Sequence, residues 1–546
     1  MKKLISLLLA GTMALGLAAC GGNNAETTET PDTTAQTEVQ ETEPATTAPK
    51  DVELKAPDND FVVALQRDAT HLDPHISSNG ASNTITDTMY ETLLTFDENT
   101  NIIPALAKEW SVSDDGCTYT FVLNEGIKFH DGEPFNAEAV KAVYDRGMAH
   151  PELNLMRTIK NWAGVNVDSE YVVSIVLKDP NNTFVNKITQ LKMISPKVMA
   201  MEDASDYLSK HSAGTGPFML DDRVDGGYTR MVPNPNYWRQ GPTVDSLTFL
   251  VVPEDGARLA MLQTGEADVI YPIPATDMDQ VENDPSVHIN VSPSTTYHYV
   301  TLNTQWALPD GRKPFADKRV RQALNYAFDS EAYAKVVFNG FAVAPTSIFS
   351  DSIMYYAEQE PYAKDLDKAK ALMKDAGYEE GFPVEIIVDN TTIEERGATF
   401  VKQQLSEINV DVHLLPNEST TNAELTSAPL EDTTVQMWYV NWSSGSYEAD
   451  GSMRNILHGD KFPPEGYNTA FWDNEEFNNL LDEALKMSKP DEIAEAYAQA
   501  QAIAWEECPW IFLGNRNNLQ GWKTYVQGLE FKPGGVFVFT HIGLNH

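Results

Sequence analysis

The sequence predicts a mixed α/β protein built from two or three domains. Three observations carry this prediction. The first half holds short segments that alternate apolar and polar residues, the period of half-buried strands. The second half holds capped amphipathic stretches with helical period. Residues 58–546 are also too many for a single hydrophobic core.

The elements follow in order. Asp60-Phe61-Val62-Val63-Ala64-Leu65 is the first strand, and His71-Leu72-Asp73-Pro74 turns the chain. A helix is expected over 83–94. Thr118 to Leu123 alternates after the turn signal Ser113-Asp114-Asp115-Gly116, and Tyr171 to Leu177 is a second such strand. Ala137 to Met148 reads as a helix. Strands return at Leu247 to Val252 and Tyr297 to Leu302. Asp317 caps a helix expected over 318–338, with Val320, Ala323, Leu324 and Ala327 on one face. Asp365 caps another that stops at Gly377. Helices over 394–408, 474–487 and 491–507 alternate with strands at 384–388 and 434–439, before a β-like tail from Phe531 to Phe539.

Composition narrows the class. The 10 Trp, 21 Tyr and 22 Phe suffice for well-packed cores. A net charge of −41 argues against nucleic acid and against adhesion to anionic lipid. It says nothing about the sign of a cleft. No Gly-x-Ser-x-Gly, P-loop, His-Glu-x-x-His or Cys-x-x-Cys pattern is present, so neither an enzyme nor a cofactor is expected. His71 and His75 straddle Pro74 with no third ligand nearby, which favours a turn over a metal site. His130-Asp131-Gly132 reads as a hairpin tip, and Asp114-Asp115 and Asp221-Asp222 as solvated turn acids. Cys117 and Cys508 lie far apart in the chain, and their spacing leaves pairing open.

The amino end reads as an export signal. Lys2 and Lys3 precede an apolar run from Leu4 to Leu17 that is too short to span a bilayer. Leu17-Ala18-Ala19-Cys20 resembles the bacterial lipobox, with Cys20 as the lipidated first residue of the mature chain. The expectation is a signal peptide over 1–19, then a lipidated Cys and disordered tether over 20–57. That segment is rich in Thr, Glu, Pro and Ala and lacks aromatic residues, so it cannot offset its ordering entropy by burial. The localisation implied is extracytoplasmic, with the membrane touched only through the lipid anchor.

An ordered series of segments resembles bacterial extracellular solute-binding protein family 5, the dipeptide, oligopeptide, nickel and glutathione receptors of ABC importers. The series is Leu72-Asp73-Pro74, Tyr90 to Leu94, Leu106 to Trp110, Ser113 to Phe121, Gly126 to Gly132, Gly214 to Phe218 and Val320 to Ala327. Met261 to Ala267, Trp442-Ser443-Ser444, Glu448-Ala449-Asp450, Phe462-Pro463-Pro464 and Tyr467 to Phe471 are most similar to the glutathione-binding type.

The resemblance implies a two-lobed periplasmic-binding-protein fold of the Venus flytrap kind (class II, cluster C). Lobe one would comprise 58–94, 213–295 and 516–546, with a strand-rich inserted domain over 95–212. Lobe two would comprise 296–515. The partners implied are a short peptide or glutathione-like ligand and the permease subunits of an ABC transporter, with a monomer expected. A metal-complex receptor of the nickel branch is the alternative, and a secreted hydrolase a more distant one.

The candidate substrate-binding residues are Arg67, Asp68, Tyr299, Arg396, Trp442, Ser443, Ser444, Gly445, Glu448 and Asp450. A peptide-like ligand needs a carboxylate for its ammonium and a cation for its carboxylate. Related dipeptide receptors carry an Asp where this chain has Gly445, which leaves the first role to Glu448 or Asp450. Arg396 begins a predicted helix and lines up with a basic residue in related receptors, so it is the carboxylate candidate. Trp442 would cover an apolar part of the ligand, and Ser443, Ser444 and Gly445 would supply hydroxyl and backbone donors. Arg67 and Asp68 end the first strand, and Tyr299 lies on an expected crossing strand. Arg321, on its amphipathic helix, is expected in a surface pair.

Overall fold

The computed structural model describes residues 56–76 and 80–546. The expected signal peptide 1–19, the lipidation at Cys20 and the tether as far as residue 55 lie outside them.

An 11-stranded sheet runs through the molecule. Its strands are β1 (Asp60–Leu65), β2 (Phe218–Val224), β3 (Tyr228–Pro233), β4 (Ser246–Val251), β5 (Val269–Tyr271), β6 (Val287–Leu302), β7 (Phe382–Asp389), β8 (Val410–Asn417), β9 (Met437–Ser443) and β10 (Trp510–Lys523). The order is β8-β7-β9-β6-β10-β5-β1-β4-β3-β2, and Ala342–Val343 pairs with β10 off this path. β1 lies parallel between β4 and β5. β7 lies parallel between β8 and β9. These parallel groups are joined by the long antiparallel pair β6 and β10, whose register breaks between Pro293 and Tyr297. On one side of that break β10 pairs with β5, and on the other β6 pairs with β9.

Burial explains the strands. In β7, Val384, Ile386, Ile387 and Val388 are all buried, as a parallel strand covered on both faces requires. The separate 4-stranded antiparallel sheet shows cleaner alternation. Its strand Thr118–Leu123 buries Tyr119, Phe121 and Leu123 and turns the threonines and Val122 outward. One core gathers Phe61, Phe121 and Phe249 with Phe537 and Phe539 from the carboxyl end. The second body has two neighbouring cores, one around Val300, Leu324 and Val401, the other around Tyr299, Met453 and Trp510.

Several elements differ from expectation. The helix expected over 83–94 is Gly80–Thr86 instead. Thr86 and Thr88 hydroxyls donate to the Ser82 and Ile85 carbonyls, and Leu94–Phe96 pairs as a strand with Ile102–Pro104. The helix expected over 318–338 is two helices, Lys318–Ala327 and Ser330–Phe338. Asp329 caps the second by accepting from Ala332 N at 2.8 Å. The strand expected over 434–439 slides toward the carboxyl end to become β9. Trp442 and Ser443 therefore lie on a strand, opposite Tyr297 and Thr296 of β6, and not in a loop. Both Cys117 and Cys508 are free thiols.

Arg321 is not a surface residue. It is 3% exposed, donates to the carbonyls of Glu507 at 2.7 Å and Phe315 at 2.9 Å, and pairs with Glu507 at 2.8 Å. These acceptors satisfy a buried guanidinium. Four residues on, Asn325 donates to the Arg321 and Trp510 carbonyls and accepts from Phe512 N at 3.0 Å. The Val320 to Ala327 segment thus clamps a helix to the end of β10. Replacing Asn325 with Ala leaves buried backbone groups unsatisfied and should cost about 2–3 kcal/mol. Urea unfolding should show a lower midpoint with an unchanged slope.

Candidate interlobe cleft

A cavity of about 1330 Å³ opens beside the break in β6. Asn290, Ser292 and Pro293 of β6 form part of its floor, and the 529–541 segment runs along it. Asn83, Asp87, Glu91 and Lys192 line the first body's side, and Ser352, Gly445 and Tyr447 the second body's side.

The first body's side is built on buried charge. Arg146 pairs with Asp73 at 2.5 Å, both nearly inaccessible. Its other nitrogen meets His75 Nδ1 at 2.9 Å. An arginine only donates, so Nδ1 accepts and the Nε2 proton points at the Lys192 carbonyl, 2.9 Å away. Burial, then the Arg146 charge, pushes His75 down to about 4. The imidazole is therefore a neutral strut that ties the turn at Pro74 to the backbone of Lys192.

Lys192 is itself 7% exposed. Its Nζ reaches Asp87 Oδ1 at 2.7 Å and Thr86 Oγ1 at 2.8 Å. Burial raises the Asp87 carboxyl, but Lys192 and then Lys532 outweigh it and hold the group below its usual range. Deeper in the wall, Glu91 accepts from Thr215 Oγ1 at 2.8 Å, Trp238 Nε1 at 2.8 Å and Tyr237 OH at 3.0 Å. The adjoining glycines are there for space. A Cβ on Gly214 would sit 2.0 Å from the Met89 carbonyl oxygen. The Gly214 to Phe218 segment is thus a close backbone crossing behind the cleft.

The second body presents a loop from Gly445 to Glu448. Tyr447 holds φ at 53°, a conformation that costs an ordinary side chain energy. Its ring meets Phe96 of the first body edge-on at 5.1 Å. The two bodies also touch at Asn182 and Asn186. Asn182 Nδ2 donates to Ala484 O at 2.7 Å, and its backbone N–H to Leu485 O at 3.0 Å. These acceptors close the helix Glu475–Ala484, whose last carbonyls have no partner within the helix. Asn186 Nδ2 reaches Ser446 O at 3.4 Å. The contacts close the cleft around its cavity.

Of the ten expected site residues, Gly445 lines the cavity and the other nine do not. Arg67 is exposed at the end of β1. Asp68 accepts from Gly226 N at 2.8 Å and Arg223 at 3.1 Å, fastening the β2–β3 hairpin. Tyr299 is buried, stacked 4.0 Å from Trp510. Arg396 donates to the Val337 carbonyl. Trp442 packs at 5.5 Å on Tyr467. Ser443 Oγ lies 2.9 Å from Thr295 Oγ1, and the Ser444 hydroxyl is buried with no partner among the described residues. Glu448 caps its own helix, Ala449–Leu457, by accepting from Gly451 N at 3.0 Å. Asp450 is paired with Arg454 at 2.9 Å, and Arg454 also with Asp482 at 2.6 Å. Both acids serve the second body internally, because the cation and the helix N–H that satisfy them lie in the same body. Asp87, Lys192 and Lys532 were not singled out from the sequence. They are far apart in the chain and belong to no local motif.

Among the described residues no helix is long and apolar enough to cross a membrane. Among them, too, no group of three or more His, Cys, Asp or Glu could hold a metal ion.

The family model described as "Bacterial extracellular solute-binding proteins, family 5 Middle" matches residues 101–463. The chain belongs to this family. The solute-binding protein is 35% identical over 487 residues to the glutathione-binding protein GsiB of Salmonella typhimurium, covering 88% of this chain and 93% of that one. The structure of HbpA2 from Haemophilus parasuis superposes with a TM-score of 0.79 at 26% identity, over 89% of this chain and 100% of that one. The ABC transporter-associated periplasmic binding protein DppA from Helicobacter pylori, in complex with the peptide STSA, gives 0.72 at 26% identity over 89% and 98%. The fold is the two-lobed one of these proteins, and the cavity lies between its lobes. The solute-binding protein acts outside the cytoplasm, as its family does.

Two measurements probe this region. Asn182→Ala removes one lobe-bridging side-chain bond, worth about 1 kcal/mol of the closed form. Stopped-flow release of a bound ligand should quicken roughly fivefold. The second concerns Glu394, two residues before Arg396, which burial and then Asp389 raise to about 7. A carboxyl raised on folding favours the folded state fully below its unfolded value of 4.5, and that contribution is lost as pH rises through 7. Glu394→Gln should leave the melting temperature unchanged at pH 4 and raise it at pH 8.

Proposed function

We propose that the protein captures short peptides, a glutathione-like peptide by preference, and hands them to the permease of an ABC importer. A lipid on Cys20 would hold the receptor at the cell membrane. It would work as a monomer, without catalysis. Lobe one is taken as 58–94, 213–295 and 516–546, the inserted domain as 95–212 and lobe two as 296–515. The cores that join Phe61 to Phe539 and Val300 to Leu513 support the separation of lobe one with its insertion from lobe two.

The observation that carries the ligand class is the cavity itself. At about 1330 Å³ it exceeds the roughly 300–1,000 Å³ typical of small-ligand sites. It therefore has room for a peptide of several residues. Its polar side chains can replace the hydrogen bonds such a ligand loses on leaving water. Likeness to a glutathione-binding protein over most of both chains points the same way.

Closure explains capture. Lobe contacts such as Asn182 with Ala484 and Phe96 with Tyr447 form only when the lobes meet. A ligand that bridges them shifts the population toward the closed form by its differential affinity. Calorimetry on the purified protein with glutathione, its disulfide and peptides of graded length should show saturable heat for at least one. Silence across the whole set would remove the peptide reading.

A further inference from the structure

Among the described residues, three Lys or Arg side chains line the cleft, Lys192, Arg239 and Lys532. Two of them are committed. Lys192 is buried and held by Asp87 and Thr86. Arg239 donates to the Ala105 carbonyl at 3.1 Å and lies 4.0 Å over the ring of Trp238. Lys532 is half-buried, and its ammonium has no hydrogen bond or ion pair among the described residues.

We propose that Lys532 is the group that takes a ligand's carboxylate in the cleft. The inference rests on the peptide reading above and names a contact within it. Three features support it. The backbone that carries Lys532 is fixed. Strand Glu530–Lys532 pairs with Val536–Val538, and the turn between them is pinned to β10 by Asn518 Nδ2 donating to Gly534 O at 2.6 Å and by Gln520 donating to Gly535 O. The ammonium is thus presented from a rigid platform, not from a mobile tail.

The local charge is also unbalanced. Lys532 is near enough to Asp87 to act on its carboxyl, yet Lys192 already matches that charge. In the group Asp87, Lys192 and Lys532 two ammoniums face one carboxylate, while the lining acids Asp97, Glu98, Asp351 and Glu530 are not bonded to Lys532. Finally, the meeting of the lobes leaves this corner only half open to water. Gly534, two residues on, lies against Tyr447 of the other lobe, where a Cβ would meet the ring at 3.2 Å. Drying an unpaired ammonium is unfavourable unless an anion enters with the closing lobe. A terminal carboxylate is the anion that every unmodified peptide carries. Arg396, the residue expected for this role from the resemblance, lies away from the cavity.

The experiment compares the wild-type full chain with Lys532→Gln and Lys532→Arg. The probes are reduced glutathione and Ala-Ala-Ala-Ala, each as the free acid and as the carboxy-terminal amide. Melting curves first establish that the variants fold. Lys532→Gln should bind the free acids at least tenfold more weakly, and Lys532→Arg should restore most of that loss. The wild type should bind the amides more weakly than the acids, and Lys532→Gln should weaken amide binding little further. Equal affinity of wild type and Lys532→Gln for the acids overturns the inference alone. So does an equal loss for acids and amides. Failure of the wild type to bind any probe overturns the peptide reading, and the inference falls with it.

Discussion

The antiparallel pairing of β6 with β10 is the constraint on which the rest of this molecule depends. Both strands are long, and each contributes to both bodies. On one side β10 meets β5 and hence the parallel group around β1. On the other β6 meets β9 and hence the group around β7. The pairing is interrupted at Ser294, Thr295 and Thr296, directly after Pro293, which lines the cavity. A ladder that is continuous on both sides of such a break resists sliding but permits bending. A movement of the lobes would therefore be taken up as bending at this break and not as sliding of the two strands.

Much of the architecture was legible because it rests on short-range rules. The strand Thr118–Leu123 announces itself by alternation, and Asp317, Asp365 and Asn474 announce helices as capping side chains. The break at Phe328-Asp329 is not legible in the sequence, although Asp329 caps its helix as Asp317 does. An uninterrupted apolar stripe on both sides hid it. The β9 boundary was missed because pairing with β6, not the local pattern around Trp442, decides where that strand ends.

The site was less legible for a physical reason. A carboxylate's function depends on what neutralises it, and that partner is a tertiary fact. Asp450 is answered by Arg454 one helical turn away, a pairing that its own sequence spacing allows. Asp87 is answered by Lys192, which arrives from a distant segment, and the excess charge comes from Lys532 at the far end of the chain. The overall charge of −41 is equally uninformative about the group Asp87, Lys192 and Lys532, in which two ammoniums face one carboxylate. Segments that mark the resemblance proved to be scaffolding. Asp73 holds Arg146, Gly214 allows a backbone crossing, and Asn325 ties a helix to β10.

The docking of Asn182 on the helix Glu475–Ala484 has one more consequence. That helix belongs to one lobe, yet its final carbonyls are completed by a residue of the other. In an open molecule Ala484 O keeps the Met487 N–H, 3.1 Å away, while the Leu485 carbonyl passes from Asn182 to water. Meeting of the lobes thus exchanges one water-bonded carbonyl at the end of this helix for a protein bond, outside the lining of the cavity.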